Sequence, residues 1–361
     1  MAYPRKSKGV KMMEATVAVV IPYYNGSRYI ERSVASVYAQ TLKPSELVVV
    51  DDGSTAEEAS KLDEIAFRMG FTVLRKENGG QGSARNYGVA HTQSQFICFL
   101  DQDDFFIEYH IEVLLDAVPW TDPQFGWVYG DVSRASDDGK ITRAAIVKDS
   151  SKHPKRNLND LIARDLFVLP SAALINRQAF EGVGGFDSQF TGYEDDDLFL
   201  RIFKGGYTNH FVDCPVTVWC MNTNSTSFSI LMSRSRLKYV KKLCALFPDD
   251  PDSQTFYIRD LISKRFTRKI MRDARRALTQ RRSPQELRMA QHKEELIEIV
   301  DDYVRTITAF TTVPWTERLS LKAQAAVLRT QATPLIKVSF AALNVLTAPS
   351  RIFRNLLWRW S

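Results

Sequence analysis

The chain is poor in the residues that build metal clusters and covalent frameworks. Its 361 residues include four cysteines, Cys98, Cys214, Cys220 and Cys244. Their scatter excludes a zinc motif and a disulfide scaffold, and leaves free thiols suited to a reducing cytoplasm. No run approaches the ~18 apolar residues of a spanning helix. Met1 to Ala15 is basic without an apolar signal core, and Val17 to Ile21 is too short to be one. The expectation is a cytoplasmic protein that, if it meets the inner face of a membrane, lies on it. The common phosphate-binding signatures are missing as well. No Gly-Lys-Ser/Thr closes a P-loop, and Arg85 stands where a dinucleotide fingerprint needs its third glycine.

What is present is ordinary in bulk and uneven in distribution. Hydrophobic residues make up 44% and charged residues 25%, as in soluble globular proteins, and the length allows one large core plus a second unit. The formal net charge of +6 hides an acid-rich first part and a C-terminal third rich in Arg and Lys. That asymmetry points to an anionic partner, a membrane surface or nucleic acid.

The informative stretch is Phe96 to Asp104. Five apolar residues suit a strand buried on both faces, and it ends in Asp101-Gln102-Asp103-Asp104. In open α/β sheets the ligand crevice lies beyond the carboxyl ends of the strands. Crowded carboxylates there repel one another unless a cation neutralises them. Oxygen donors suit Mg²⁺ or Mn²⁺, which can also hold a diphosphate. The competing reading is a solvated acidic turn that caps the next helix.

Around that stretch the pattern alternates strand and helix. Val17 to Ile21 reads as a strand closed by Pro22, and apolar spacing from Ser27 as a helix. Leu47 to Val50 is a strand ending in Asp51-Asp52-Gly53-Ser54, Glu57 to Met69 a helix, and Phe71 to Leu74 a third strand. Asn78 through Asn86 holds Gly79, Gly80 and Gly82, which allow a tight turn into a helix running to about Val89. Gly126 to Val132 and Phe167 to Asn176 read as strands, with a polar loop or hairpin over Ser133 to Asn157. Gly182 to Asp187 is a glycine-rich turn. Glu194-Asp195-Asp196-Asp197 opens a helix, where carboxylates also suit the positive end of its dipole.

Taken in order, these stretches resemble the inverting nucleotide-sugar glycosyltransferases of family 2, which have the GT-A fold. The resemblance spans about Val17 to Ser227. It rests on Pro22-Tyr23-Tyr24-Asn25, Asp51-Asp52-Gly53-Ser54, Asn78 through Asn86, Asp101-Gln102-Asp103-Asp104, Gly184-Gly185-Phe186-Asp187 and Glu194-Asp195. The fold it implies is α/β and Rossmann-like, a mixed but mostly parallel sheet flanked by helices, with a helical C-terminal extension. With the pattern of the rest of the chain, the expected boundaries are a basic tail over residues 1–15, a transferase domain over 16–229 and a basic, mostly helical region over 230–361. The resemblance also implies a site. Pro22, Tyr24, Asn25, Asp52, Gly80, Arg85, Asp101 and Gln102 would border the nucleotide-sugar, expected to carry UDP, with Asp52 facing the base. Asp101 and Asp103 would hold the metal, with Asp104 behind them. Gly184, Gly185, Phe186 and Asp187 would form the acceptor wall, although Asp187 equally suits a helix cap. Asp195, beside Glu194, would be the general base, and its acidic neighbours should raise its proton affinity. One feature departs from the family. Where many relatives carry an aromatic-Arg-X-His segment, this chain has Trp219-Cys220-Met221-Asn222. A late histidine ligand or diphosphate clamp is therefore in doubt.

From Ile230 the pattern is helical and the resemblance lapses. Lys264 to Arg282 is densely basic, which suits a solvated helix face, an anionic membrane or, with no recognised module in support, nucleic acid. After Pro349 a helix would set Ile352, Phe353, Leu356, Leu357 and Trp360 opposite Arg351, Arg354 and Arg359. That composition fits an interfacial helix, or one docked on the protein's own core or at a dimer seam. The function expected is metal-dependent, inverting sugar transfer from a nucleotide-sugar to a hydroxyl of a glycan or lipid-linked acceptor, in bacterial surface polysaccharide or lipopolysaccharide synthesis. The alternatives are a non-catalytic sugar-nucleotide-binding scaffold and a haloacid-dehalogenase-type phosphatase, which Asp104-Phe105 fits poorly.

Overall fold

The computed structural model describes residues 14–221 and 229–339. The chain separates into two compact units, Met1–Ser225 and Thr226–Ser361.

The first unit is built on a mixed sheet. Strand β1, Val17–Tyr23, is buried along its whole length. Its β-branched run has no polar face, so it must lie in the middle of a covered sheet, where each enclosed Val or Ile contributes roughly 1.5–3 kcal/mol. On one side it pairs in parallel with β2, Glu46–Asp52, and β2 with β3, Thr72–Lys76. On the other side it pairs in parallel with β4, Phe96–Phe99. The strand order therefore reverses between β1 and β4, and a crevice opens beyond their carboxyl ends. Pro22 fits there for a local reason. Val20 turns its carbonyl toward the β4 side, where it accepts the Leu100 N–H at 3.1 Å. Residue 22 faces the same way, past the last β4 partner, so no ladder bond is lost.

The sheet continues beyond β4 through β8 (Ala173–Asn176), β6 (Phe125–Ser136), β9 (Thr208–Met221) and β5 (Phe105–Phe106), with β7 (Ile141–Arg143) as a hairpin on β6. Helices α1 (Ser27–Tyr38), α2 (Ala56–Met69) and α3 (Gln81–Ala90) connect the parallel strands. Helix α3 packs closest. A Cβ on Gly88 would sit 2.4 Å from Val20 Cγ1, so only glycine lets the helix reach the sheet here. Helices α4 (His110–Asp116), α5 (Leu158–Ala163), α6 (Arg177–Gly182) and α7 (Glu194–Lys204) complete the unit.

Two sequence expectations need correction. Strand β6 does not stop at Val132 but runs to Ser136, because it pairs with the long β9 to its end. Asp131 explains how a loop can follow beside it. Its buried carboxylate accepts the N–H groups of Ile146, Val147 and Lys148 at 2.8–3.0 Å and so folds residues 146–148 back. Phe167 to Asn176 is not one strand. Phe167 has a left-handed backbone, φ 52°, and a 3-10 turn at Pro170–Ala172 precedes β8.

The second unit is helical, with α8 (Ile230–Leu246), α9 (Ser263–Thr279), α10 (Pro284–Gln291), α11 (Lys293–Thr308) and α12 (Trp315–Arg329). Tyr239, Phe266, Val300, Tyr303 and Leu328 are fully buried in its core. Basic residues on either side of the Lys264 to Arg282 run are paired within this unit. Arg234 holds Glu295, Arg236 holds Asp273, Lys241 holds Asp302 and Arg329 holds Asp301. The three exposed pairs contribute about 0–1 kcal/mol each, and Arg236–Asp273 is largely buried, but all four spend charge that a polyanion would otherwise meet. The expected interfacial helix after Pro349 lies outside the described residues.

Candidate functional site

The crevice beyond β1, β2 and β4 gathers most of the motifs. At the end of β2, Asp52 is buried and accepts three donors. Its Oδ1 takes the Lys76 ammonium at 2.7 Å and the Gly79 N–H at 3.0 Å, and its Oδ2 takes the Gly80 N–H at 2.7 Å. Asp52 thus shapes the glycine loop that leads into α3, where Gly80 has φ 85°. Only Oδ2 keeps a lone-pair direction without one of these donors. Neighbouring Asp51 accepts the Ser54 N–H at 3.0 Å and closes the turn.

The loop after β1 is tied to the loop after β4. Gln102 accepts the Tyr24 N–H at 2.9 Å and donates back to the Tyr24 carbonyl at 3.1 Å. Tyr24 leaves its ring half exposed at the crevice mouth. Asn25 has φ 46° and ties this loop to the one after β2, donating its N–H to Ser54 Oγ and accepting the Thr55 N–H.

Arg85 is the hub. It projects from α3, is 2% exposed, and its Nη2 donates to Asp101 Oδ1 at 2.6 Å. Gln81 Nε2 meets the same oxygen at 2.6 Å. Arg85 Nη1 lies 3.5 Å from Glu194 Oε1 at the start of α7. The ring of Phe186 lies 5.1 Å from the guanidinium carbon, close enough for cation–π attraction. Burial works against the charge, but Asp101, Glu194 and Asp195 outweigh it and hold the guanidinium above its ordinary range. Arg85 Nε and Nη1 make no hydrogen bond among the described residues, although Nη1 faces the Glu194 carboxylate.

Each acidic run divides into anchored members and members at the crevice. Asp104 is 2% exposed and accepts the Cys220 N–H at 2.8 Å. Burial, then Asp103 and Asp101, push its carboxyl well above the usual range. The Asp103 carbonyl accepts Arg32 Nη2 at 2.6 Å. In α7, Asp197 accepts Arg201 Nε at 2.7 Å, and Asp196 accepts the Leu166 N–H at 3.0 Å. Asp195 accepts the Asp196 N–H at 2.8 Å, yet burial followed by repulsion from Asp196 and Glu194 drives its proton affinity well up. Glu194 is raised as well, first by burial, with Arg85 opposing.

The Gly184-Gly185-Phe186-Asp187 turn is locked to both neighbours. Asn86 accepts the Phe186 N–H at 2.9 Å and donates to the Phe186 carbonyl at 2.8 Å. Arg201 donates to the carbonyls of Val183 and Gly185 at 2.6 and 2.7 Å. Gly184 and Gly185 have φ 79° and 66°, as the turn requires. The Asp187 carboxylate accepts Gln189 N–H groups at 3.2 and 2.8 Å, a local turn contact.

Sequence reasoning missed Lys76, Gln81, Asn86 and Arg201 as parts of this arrangement. Gln81 and Asn86 lay inside a motif that was read for its glycines. Arg32 was also missed, although it reaches Asp103, Asp137 and Cys220 from α1. It occupies the neighbourhood where the absent aromatic-Arg-X-His segment was sought. Among the described residues, no three His, Cys, Asp or Glu side chains form a ready metal cage. The donor set of Asp101 and Asp103 still fits Mg²⁺ or Mn²⁺, which commonly use one or two carboxylates and take the remaining oxygens from phosphates and water.

This sheet, with its acidic strand end and facing acidic helix, defines a GT-A glycosyltransferase fold. Residues 18–184 match the family model described as glycosyl transferase family 2, and the chain carries a domain of that family. It is 42% identical over 205 residues to the succinoglycan biosynthesis protein ExoW of Rhizobium meliloti, covering 52% of this chain and 62% of that protein. It is 30% identical over 204 residues to an uncharacterized glycosyltransferase of Rickettsia conorii, covering 55% of this chain and 33% of that one. The chain thus spans about a third of the length of that Rickettsia relative. Among solved structures, S. aureus TarS 1–349 in complex with UDP-GlcNAc superposes with a TM-score of 0.59 at 15% identity, covering 91% of this chain and 92% of that one. No described helix is long and apolar enough to cross a membrane.

Proposed function

We propose that the chain transfers a sugar from a nucleoside diphosphate sugar, with UDP as the nucleotide, to a hydroxyl of a glycan or lipid-linked acceptor, inverting the anomeric centre. The observation that carries this reading is Arg85, which brings Asp101 of the strand-end run within reach of Glu194 of the helix run, 93 positions later in the chain. Donor and acceptor machinery then share one crevice. Tyr24, Asn25, Asp52 and Gly80 border the nucleotide, with Pro22 and Gln102 holding the Tyr24 loop. Asp52 offers its remaining Oδ2 direction to the base. Asp101 and Asp103 would hold Mg²⁺ or Mn²⁺, whose Lewis acidity would neutralise charge on the departing diphosphate. Gly184, Gly185, Phe186 and Asp187 line the acceptor side.

Asp195 takes the proton of the acceptor hydroxyl as its oxygen bonds to the anomeric carbon, while the bond to the diphosphate breaks on the opposite face. A carboxylate with raised proton affinity is a better base near neutrality than an ordinary aspartate. The similarity to ExoW supports a place in surface polysaccharide synthesis. The division into a basic tail, a transferase domain ending near residue 229 and a basic helical region belongs to the same proposal. So do a cytoplasmic location, contact with an anionic membrane through residues 349–361, and self-association.

Thermal-shift measurements with UDP, GDP and their sugars, with and without Mn²⁺, test the reading. It expects a UDP compound to raise Tm by several degrees only with the metal. No shift from any of them would remove the donor site.

A further inference from the structure

A cavity of about 340 Å³ lies among residues 151–166 of the first unit. Lys152, Lys155, Arg156 and Arg164 line it, against Asp160 and Asp165. Lys152, Arg156 and Arg164 are exposed at its rim, whereas Lys155 is only 7% exposed. The Lys155 backbone is fixed on both sides by the Asn209 amide, with each bond 2.8 Å. Its Nζ donates to Ser151 Oγ at 2.6 Å and to the Lys152 carbonyl at 3.1 Å. Both partners are neutral. Among the described residues no carboxylate lies within ion-pair distance of this ammonium, and an ammonium has a third donor to give.

Burying an amine with neutral partners alone is costly. Burial pushes the Lys155 amine down to about 8, although Asp196 and Asp160 pull it up. His153 is held at about 4, chiefly by burial, so it contributes hydrogen bonds here rather than charge. A partly satisfied buried cation inside a cationic rim is complementary to an oxyanion. The cavity also adjoins the acceptor side. Leu166, in its lining, donates its N–H to Asp196, and the Asp196 N–H in turn reaches Asp195.

We propose that this cavity binds a phosphate group carried by the acceptor, so that the acceptor is an anionic molecule anchored here while its hydroxyl reaches Asp195. The assignment rests on the reading of Asp195 as the acceptor-side base, but the phosphate site itself can be tested apart from it.

Calorimetric titration of the full chain with inorganic pyrophosphate, in EDTA to silence metal-dependent binding, is the test. Lys155→Met should weaken binding at least about tenfold, as expected for loss of one charged hydrogen bond. Arg164→Ala, at the exposed rim, should weaken it about threefold. Asp103→Asn should leave it unchanged. Equal affinity in all four proteins, or no binding to the wild type, would overturn the site. Farnesyl diphosphate and glucose 1-phosphate separate the two sources of such a group. Tighter binding of the first assigns a lipid carrier, and equal or tighter binding of the second a phosphorylated glycan. UDP binding with Mn²⁺, measured in the same proteins, keeps the readings distinguishable. If the wild type fails to bind UDP yet binds pyrophosphate through Lys155, the transferase reading falls and the phosphate site stands.

Discussion

Asp101-Gln102-Asp103-Asp104 and Glu194-Asp195-Asp196-Asp197 are both runs of acids at the edge of a regular element, and the fold uses them differently. The first follows a buried strand. Its innermost member, Asp104, is fixed by the Cys220 amide, and its outermost, Asp101, is held by Arg85 and Gln81. The second opens a helix. Asp197 is bound by Arg201 and Asp196 by the Leu166 amide, while burial, followed by the charges of Asp196 and Glu194, raises the proton affinity of Asp195. In each run burial and acidic neighbours raise one carboxylate, Asp104 in the first and Asp195 in the second. Asp104 is fixed by the Cys220 amide, which leaves Asp101 and Asp103 suited to holding a leaving diphosphate, whereas Asp195 at the start of α7 suits taking a proton. Residue type is the same in both, and the neighbours set the chemistry.

The comparison predicts opposite kinetic signatures. The largest effect is expected from Asp195→Asn, which removes the proposed base. Turnover should fall roughly 10²- to 10⁴-fold in steady-state assays, while donor Kd stays within about twofold. Asp103→Ala should instead weaken Mn²⁺-dependent UDP binding, by about tenfold or more, and lower turnover through that loss. Retained UDP affinity in Asp103→Ala would remove the assigned division.

A smaller effect should separate anchoring acids from reacting ones. Arg201→Ala leaves Asp197 buried without its partner and frees the Gly184-Gly185 turn. Chemical denaturation should show a loss of about 3 kcal/mol, with UDP affinity unchanged. The smallest effect concerns pH. The folded-state proton affinity of Asp195 is raised above its unfolded value, so the folded state binds the proton more tightly. Its contribution to stability is therefore present below the unfolded pKa of about 3.9, and is lost as pH rises through the raised folded value. Asp195→Asn should gain roughly 1 kcal/mol, or about 2–4 °C in Tm, at neutral pH, and the gain should vanish near pH 4. A variant that is destabilised at pH 7 would contradict the burial and repulsion assigned to this site.

The regular half of the sheet was legible because β1, β2 and β4 are buried on both faces and announce themselves as unbroken apolar runs. Strand β9 was not. It carries Asn209, His210, Asp213 and Pro215, and its pairing with β6 slips at Gly130, Asp131 and Val132, so no period of two survives in the sequence. The acids of the site were legible as clusters, but their partners were not. Lys76, Arg32 and Arg201 are single basic residues on ordinary strand and helix faces. Each finds its acid or carbonyl across a fold that local pattern does not encode. Asp52 shows the same limit. Its position at a strand end was readable, but its grip on Gly79 and Gly80 depends on β3 returning beside β2. In the C-terminal region the basic residues from Lys264 to Arg282 were readable as a run, while the ion pairs that Arg234, Lys241 and Arg329 make on either side of it required the helices to be placed in space.

The division of labour between the two acidic runs is most directly tested by calorimetric UDP titration with Mn²⁺ on three proteins, the wild type, Asp195→Asn and Asp103→Asn. The wild type and Asp195→Asn should bind with the same affinity, and Asp103→Asn should bind far more weakly. Loss of UDP binding in Asp195→Asn with retention in Asp103→Asn would contradict it.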